Sequence, residues 1–230
     1  MIREYPNSLV SVEIRGFRTE THGNDLASHV LILINGRRTG TGNLAKIILD
    51  NVERVEIIRV PGSVQYGASA MGGVVNVITK QGHGKPSVYV QGTLGSWENQ
   101  KFSAGASGQF NYFDFSFSGS SESQKDDYNT ARGDKYYNTG FDSKDRISVN
   151  AGWTFAPDNR IGVTYTGYEG EGIGSPDYLS QNDLDNYVDH AINTVDFVYD
   201  GQTANGFMIW NFRYFNGKDE YETFEPEIYG

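Results

Sequence analysis

The stretch Ile147-Ser148-Val149-Asn150-Ala151-Gly152-Trp153-Thr154-Phe155 puts an apolar or aromatic residue at every odd position and a small or polar one at every even position. After Pro157-Asp158-Asn159 the pattern resumes in Ile161-Gly162-Val163-Thr164-Tyr165-Thr166. Successive side chains of a strand point to opposite faces, so each run is a strand with one apolar and one polar face. The intervening breaker makes the pair a hairpin. The same grammar returns in Phe113, Phe115 and Phe117 against Asp114, Ser116 and Ser118, and in Met208, Trp210, Phe212 and Tyr214 against Asn211 and Arg213. Alternation over about ten residues with aromatics on one face is the pattern of a transmembrane β-strand. A soluble β-sandwich also alternates, so the pattern alone leaves both open.

The connections separate them. Seven strands are expected, near 87–96, 100–109, 112–121, 146–156, 160–168, 192–200 and 206–216. From the third strand onward the links alternate in length: long (Glu122 to Asp145), tight (Pro157 to Asn159), long (Glu169 to Ala191), tight (Gly201 to Asn205). Outer-membrane barrels combine short periplasmic turns with long extracellular loops. Parity then places the 122–145 and 169–191 loops, and the short Ser96–Asn99 link, outside the cell. A soluble sandwich has no reason to keep its long loops at one end.

Bulk properties exclude other classes. The chain has 230 residues, no cysteine, 19 basic against 29 acidic side chains and a formal charge of −10. A negative surface is wrong for nucleic acid, whose phosphates require basic groups. Without cysteine there are no disulfides and no thiolate metal sites. No stretch approaches the roughly 18 apolar residues of a membrane helix, the longest run being Val30 to Ile34, and Met1 to Pro6 contains no signal-like apolar region. Hydropathy alone would point to a soluble cytoplasmic protein, but barrel strands escape hydropathy because only every second residue faces lipid.

Upstream of about Lys80 the grammar differs. Val10–Ile14 and Val30–Ile34 are short apolar runs followed by the turn pairs Arg15-Gly16 and Asn35-Gly36. Leu44 to Leu49 reads as a helical turn or two leading into a strand over Val52–Ile58, and Val74–Ile78 is another strand. Strands interleaved with short helical pieces make a small α+β unit. The breaker cluster Gly82-His83-Gly84-Lys85-Pro86 closes it, which gives an expected division into 1–84 and 85–230. Glycine-rich Gly36 to Gly42 lacks both the Walker ending and the Rossmann spacing of a phosphate loop.

The segment Val55 to Lys80, with Arg59-Val60-Pro61-Gly62-Ser63-Val64-Gln65-Tyr66-Gly67 and Met71-Gly72-Gly73-Val74-Val75-Asn76-Val77-Ile78 at its heart, closely resembles the plug signature of TonB-dependent outer-membrane receptors. Ile14-Arg15-Gly16-Phe17 and Leu31-Ile32-Leu33-Ile34-Asn35-Gly36 resemble two further plug motifs, in the family's order. One departure is Val60, where the family usually has glycine. The resemblance implies an α+β plug followed by a transmembrane antiparallel β-barrel, of which this chain holds about seven of roughly 22 strands. It also implies that the energy-coupling segment, the first plug strand and helix, and most of the barrel lie outside these residues, and that the 230 residues alone neither transport nor insert stably.

What the resemblance implies for sites comes next. Arg15 and Arg59 correspond to arginines that form a charge cluster with barrel glutamates; the plain alternative is a pair of surface arginines. Ligands in this family sit on the apical loops of the plug. The corresponding stretches, Arg18–His29, Arg37–Asn43 and Ser63–Tyr66, give candidate ligand residues Arg18, Arg37, Arg38, Thr39, Thr41, Asn43, Gln65 and Tyr66, weighed against ordinary polar loop residues. The layout looks most like the cobalamin receptors, with a ferric siderophore an equal candidate for the ligand. Those receptors bind calcium through loop aspartates, which here would be Asp126, Asp127, Asp134, Asp142, Asp177 and Asp183. Calcium needs six to eight oxygens, and acidic residues in a solvated loop are the commoner explanation. The implied partners are TonB, outer-membrane lipid of a Gram-negative bacterium and the chelate. A porin or adhesin would share the strands but not the plug motif. His22, His29, His83 and His190 show no metal-ligand spacing and no nucleophile–base pair is visible, so no enzyme is expected.

Overall fold

The computed structural model describes residues 1–5, 9–21, 28–47, 51–59, 66–125, 128–129, 133, 135–175 and 185–225. It forms two compact units, Met1–Lys80 and Gln81–Gly230.

In the first unit, β1 (Ile2–Tyr5), β2 (Leu9–Ile14) and β3 (Phe17–Arg18) make an antiparallel sheet. A second sheet has the order β5 (Arg37–Arg38), β4 (Val30–Ile34), β7 (Gly73–Thr79), β6 (Val52–Ile58). Strands β4 and β7 run parallel, and the outer pairs are antiparallel. A strand without a polar residue has no face to give to water, and Val30–Ile34 is accordingly buried on both. Val30 and Ile32 pack with Val12, Ile14, Leu44, Ile47, Val75 and Val77, while Leu31 and Leu33 pack with Ala70 and Val74 on the other side. The two expected turn pairs have left-handed backbone, Arg15 and Gly16 at φ 55° and 83°, Asn35 and Gly36 at 51° and 81°. That is the turn whose twist suits a tight hairpin.

Within the helical stretch expected at Leu44–Leu49, residues Leu44–Lys46 form a 3-10 turn, residues 48 and 49 lying outside the described residues, and a second 3-10 turn spans Ala68–Ala70. Asn43 caps the first by accepting from Ala45 N, and Ile47 already has extended backbone at φ −93°, ψ 132°. The motif glycines have a steric reason: a Cβ on Gly72 would run into Phe17 Cβ, and one on Gly73 would lie 2.5 Å from Ile58 O.

The second unit is an antiparallel meander of seven strands in chain order: β8 (Ser87–Leu94), β9 (Gln100–Phe110), β10 (Phe113–Gln124), β13 (Phe141–Ala156), β14 (Asn159–Gly174), β15 (Tyr187–Gln202) and β16 (Ile209–Phe224). A small hairpin, β11 (Tyr128–Asn129) and β12 (Lys135–Tyr136), stands in the connection between β10 and β13. The number of strands is the expected one, but β13 to β16 are each 16 residues long and extend past the expected ends. The long loops shrink accordingly to 125–140 and 175–186. Ladder pairing continues where alternation of hydrophobicity stops, for example at Asp145↔Glu169 and Ser143↔Glu171, so apolar pattern marks only the middle of each strand.

The sheet is inside out by the standard of a soluble domain. Ser118 and Ser148 are 1% and 0% exposed, while Val90 and Phe212 on the opposite face are 70% and 65% exposed. Near the tight turns the apolar face carries an aromatic band: Phe113 and Trp153 at 6.0 Å, Trp153 and Phe155 at 5.8 Å, Phe155 and Tyr199 at 5.9 Å, Tyr199 and Trp210 at 6.0 Å. Aromatic girdles of this kind mark the lipid–water boundary of membrane barrels.

Candidate functional site

In the first unit the described parts of the three candidate stretches gather where the parallel strands β4 and β7 begin. His29 N donates to Arg18 O at 3.2 Å, Gly72 N donates to His29 O at 2.7 Å, and Glu20 N donates to Ser28 Oγ at 2.9 Å. Gly42 packs against the carbonyl of Glu20, where no side chain would fit. Arg38 then reaches across from β5 and donates from Nη2 to Tyr66 O at 2.5 Å. Parallel pairing thus brings residues 18–20, 28–29, 37–43 and 66 to one end of the sheet; residues 22–27 and 63–65 lie outside the described residues.

Within that cluster the expected residues divide by exposure. Arg18 is exposed, and Arg38, Thr39 and Tyr66 are half-buried. Arg37, Thr41 and Asn43 are buried and committed to local structure. Arg37 Nη1 donates to Arg38 O at 2.8 Å, Thr41 Oγ1 accepts from Asn43 N at 3.1 Å, and Asn43 Oδ1 accepts from Ala45 N at 3.0 Å and Val10 N at 2.9 Å. Thr39 Oγ1 donates to Thr41 O at 2.6 Å. An asparagine bridging two backbone amides is an N-cap, a job its short side chain does well. Gln65 lies outside the described residues.

The Arg15 and Arg59 pair also meets, with Arg15 Nη1 donating to Arg59 O at 3.2 Å and both residues exposed. On the edge strand β6, Arg54 is held by Glu56 and Glu53, each at 3.0 Å. The Glu56 hydrogen bond raises its pKa above the ordinary arginine value.

The calcium candidates divide differently. Asp126, Asp127, Asp134, Asp177 and Asp183 lie outside the described residues. Asp142 is exposed on β13 beside Gly172, whose amide donates to Asp189 Oδ1 at 2.8 Å. Among the described residues no group of three or more acidic or histidine side chains is arranged to hold a metal.

Two side-chain networks on the polar face of the wall were not visible in the sequence. Arg160 on β14 crosses β13 to reach Asp114 on β10, with Nε to Oδ2 at 2.8 Å and Nη2 to Oδ1 at 2.6 Å, and Nη2 also donates to Asn150 Oδ1 at 3.0 Å. A Cβ on Gly152 or Gly162 would occupy the space of this guanidinium. Planar two-point contact with a carboxylate is arginine's particular geometry. Further toward the long loops, Asn99 donates to Glu122 at 3.0 Å and Arg146 pairs with Glu122 at 3.4 Å. Arg146 lies over the Tyr168 ring at 5.4 Å, and His190 meets Tyr168 at 5.6 Å and Asp219 at 2.6 Å. The sequence hint was glycine and charge on the polar face of adjacent strands; partner identity needs the register. A concavity on this unit is lined by Phe113, Trp153, Ile161, Phe197 and Phe212, which belong to the outward apolar band.

Comparison with known proteins adds two findings. Residues 2–74 match the family model described as TonB-dependent Receptor Plug Domain. The fold of nearly the whole chain is that of solved outer-membrane receptors. It superposes on the ferric yersiniabactin uptake receptor of Yersinia pestis with a TM-score of 0.71 at 18% identity, covering 96% of this chain and 37% of that one. An iron transporter of Neisseria meningitidis gives 0.72 at 15% identity, covering 96% and 35%. The pyoverdine receptor of Pseudomonas aeruginosa gives 0.70 at 14%, covering 96% and 33%. The chain spans about a third of the length of these receptors.

Proposed function

We infer, from a TonB-dependent receptor plug domain joined to seven strands of an antiparallel wall, that this chain belongs to an outer-membrane receptor for energy-coupled uptake of a scarce metal chelate. The observation that carries this reading is the pairing of the two halves. A diffusion pore or adhesin has the wall without the plug. TonB supplies the energy by pulling on a segment ahead of the plug, and the receptor sits in the outer membrane of a Gram-negative bacterium.

The ligand in this proposal is a ferric siderophore, since similar solved structures are described as a ferric yersiniabactin uptake receptor, an iron transporter and siderophore receptors. Cobalamin is the second candidate. Arg18, Arg38, Tyr66 and Gln65 face the ligand; Thr39, Thr41, Asn43 and Arg37 shape the loop that presents Arg38. Arg15 and Arg59 form the cationic half of a charge cluster with wall carboxylates. Calcium, if bound, takes Asp142 with the neighbouring loop aspartates.

The test is a titration of the receptor containing this chain with a panel of ferric chelates and with cobalamin, with and without a calcium chelator. Saturable binding of a ferric chelate, weakened about tenfold by Tyr66→Ala, a change of about 1.4 kcal/mol, is the expected result. Cobalamin binding lost on calcium removal would assign the ligand to the cobalamin branch. Binding of neither would overturn the uptake reading.

A further inference from the structure

The turn between β15 and β16 is rigid, and its tip is apolar. Thr203 N donates to Met208 O at 2.9 Å and Met208 N returns a bond to Thr203 Oγ1 at 3.0 Å. Gly206 N donates to Thr203 O at 2.8 Å, and Phe207 N to Asn205 Oδ1 at 3.1 Å. A turn closed by this many of its own polar groups is not free to fold its side chains back onto the sheet. It nevertheless presents Phe207 at 84% and Met208 at 57% exposure. From Gln202 to Ile209 there is no charged side chain.

The position of this tip identifies what covers it. Met208 stands two residues before Trp210, so it continues the outward face on which Trp210, Tyr199, Phe155 and Trp153 form the aromatic band. The turn is at the tight-turn end of the sheet, as are the β9–β10 turn, where Tyr112 is 68% exposed, and the β13–β14 turn. That last turn carries Asp158, which accepts from Gln202 Nε2 at 2.6 Å. Charged and uncharged tips therefore sit side by side. A large exposed apolar group continuous with a lipid-facing band is covered by lipid at lower cost than by water, and no charge opposes its entry.

We propose that Phe207 and Met208 are a membrane anchor, seated at the boundary between headgroups and acyl chains of the leaflet at the tight-turn end. The proposal rests on the membrane-wall reading above. It goes beyond the girdle, because it assigns a connecting turn, rather than a strand face, to the lipid.

This chain has no cysteine, and any cysteine elsewhere in the receptor is first replaced by serine, so that single cysteines are clean labelling sites. Phe207→Cys, Met208→Cys, Asp158→Cys and Trp153→Cys are each labelled with a fluorophore in the receptor reconstituted into vesicles containing nitroxide lipids. Labels at 153, 207 and 208 are expected to be quenched by lipid nitroxides and shielded severalfold from aqueous iodide relative to 158. If 153 is lipid-quenched while 207 and 208 are as aqueous as 158, the anchor is wrong and the membrane wall stands. If 153 is aqueous too, the membrane reading itself fails. Shielding of 207 that appears only with an added periplasmic protein would assign the surface to that protein and overturn the proposal. Heat-modifiable migration identifies correctly folded variants, and position 208 replaces 207 should the latter misfold.

Discussion

Strands β4 and β14 both carry β-branched residues on their apolar positions, yet they bury opposite things. In β4 every side chain from Val30 to Leu33 is inside a small apolar core. In β14 Thr164 on the polar face is buried, while Ile161 on the outward face is 42% exposed. The plug therefore follows the rules of a soluble domain, stabilised by removing hydrocarbon from water. On the function proposed above, the wall follows those of a sheet whose apolar side is solvated by lipid and whose polar side must satisfy itself by hydrogen bonds. The lesson is that mean hydropathy does not reveal an outward apolar face; the period of the hydrophobic pattern does.

The comparison can be broken by substitutions that should matter in one region and not in the other. The largest effect is expected at the Arg160–Asp114 pair, because removing one partner leaves a buried charge alone. Arg160→Ala should cost about 3–5 kcal/mol in urea unfolding from vesicles, and the paired change Asp114→Leu with Arg160→Met should recover most of it. A loss no larger than for an exposed pair would mean that the polar face is wet and the pair unimportant. Next is the outward face: Val163→Arg should cost about 2–4 kcal/mol near the bilayer centre in lipid folding titrations, and far less in a water-facing sheet.

Smaller effects belong to the plug. Gly72→Ala forces a methyl against Phe17 and should cost about 1–3 kcal/mol, read as earlier proteolysis of residues 1–80 with wall strands intact. Ile32→Val removes one methylene from the apolar core and should cost about 0.5–1.5 kcal/mol. The same trim on the outward face, Ile161→Val, should change stability in lipid very little, and equal costs at both sites would remove the distinction between the regions.

Much of this architecture can be read from the residues. The Val30–Ile34 run without a polar residue implies burial on both faces, Asn35-Gly36 implies the hairpin, and the period-two segments give the strand count. Strand ends escape the sequence because beyond the lipid boundary the outward positions become Asp145, Glu169 and Glu220, which no longer contrast with the inward ones. Asn43 reads equally well as a ligand residue or a cap, and only its two backbone partners distinguish the roles. Arg160 and Asp114 are 46 positions apart; their contact depends on the register of three strands and on two glycines, none of which a local pattern encodes. The convergence of residues 18, 29 and 66 follows from the parallel β4–β7 pairing, which the motifs imply only through resemblance.

The central claim, that the second unit is a membrane wall with its apolar face outward, is tested most directly by a cysteine scan along β14. Spin labels placed one at a time from 160 to 166 in the reconstituted receptor report exposure to oxygen in lipid and to a water-soluble relaxant. The account predicts a period of two, with 161, 163 and 165 accessible to oxygen and 160, 162, 164 and 166 not. Oxygen accessibility that is uniform along the strand, or water-soluble relaxant reaching 161, 163 and 165, would contradict it.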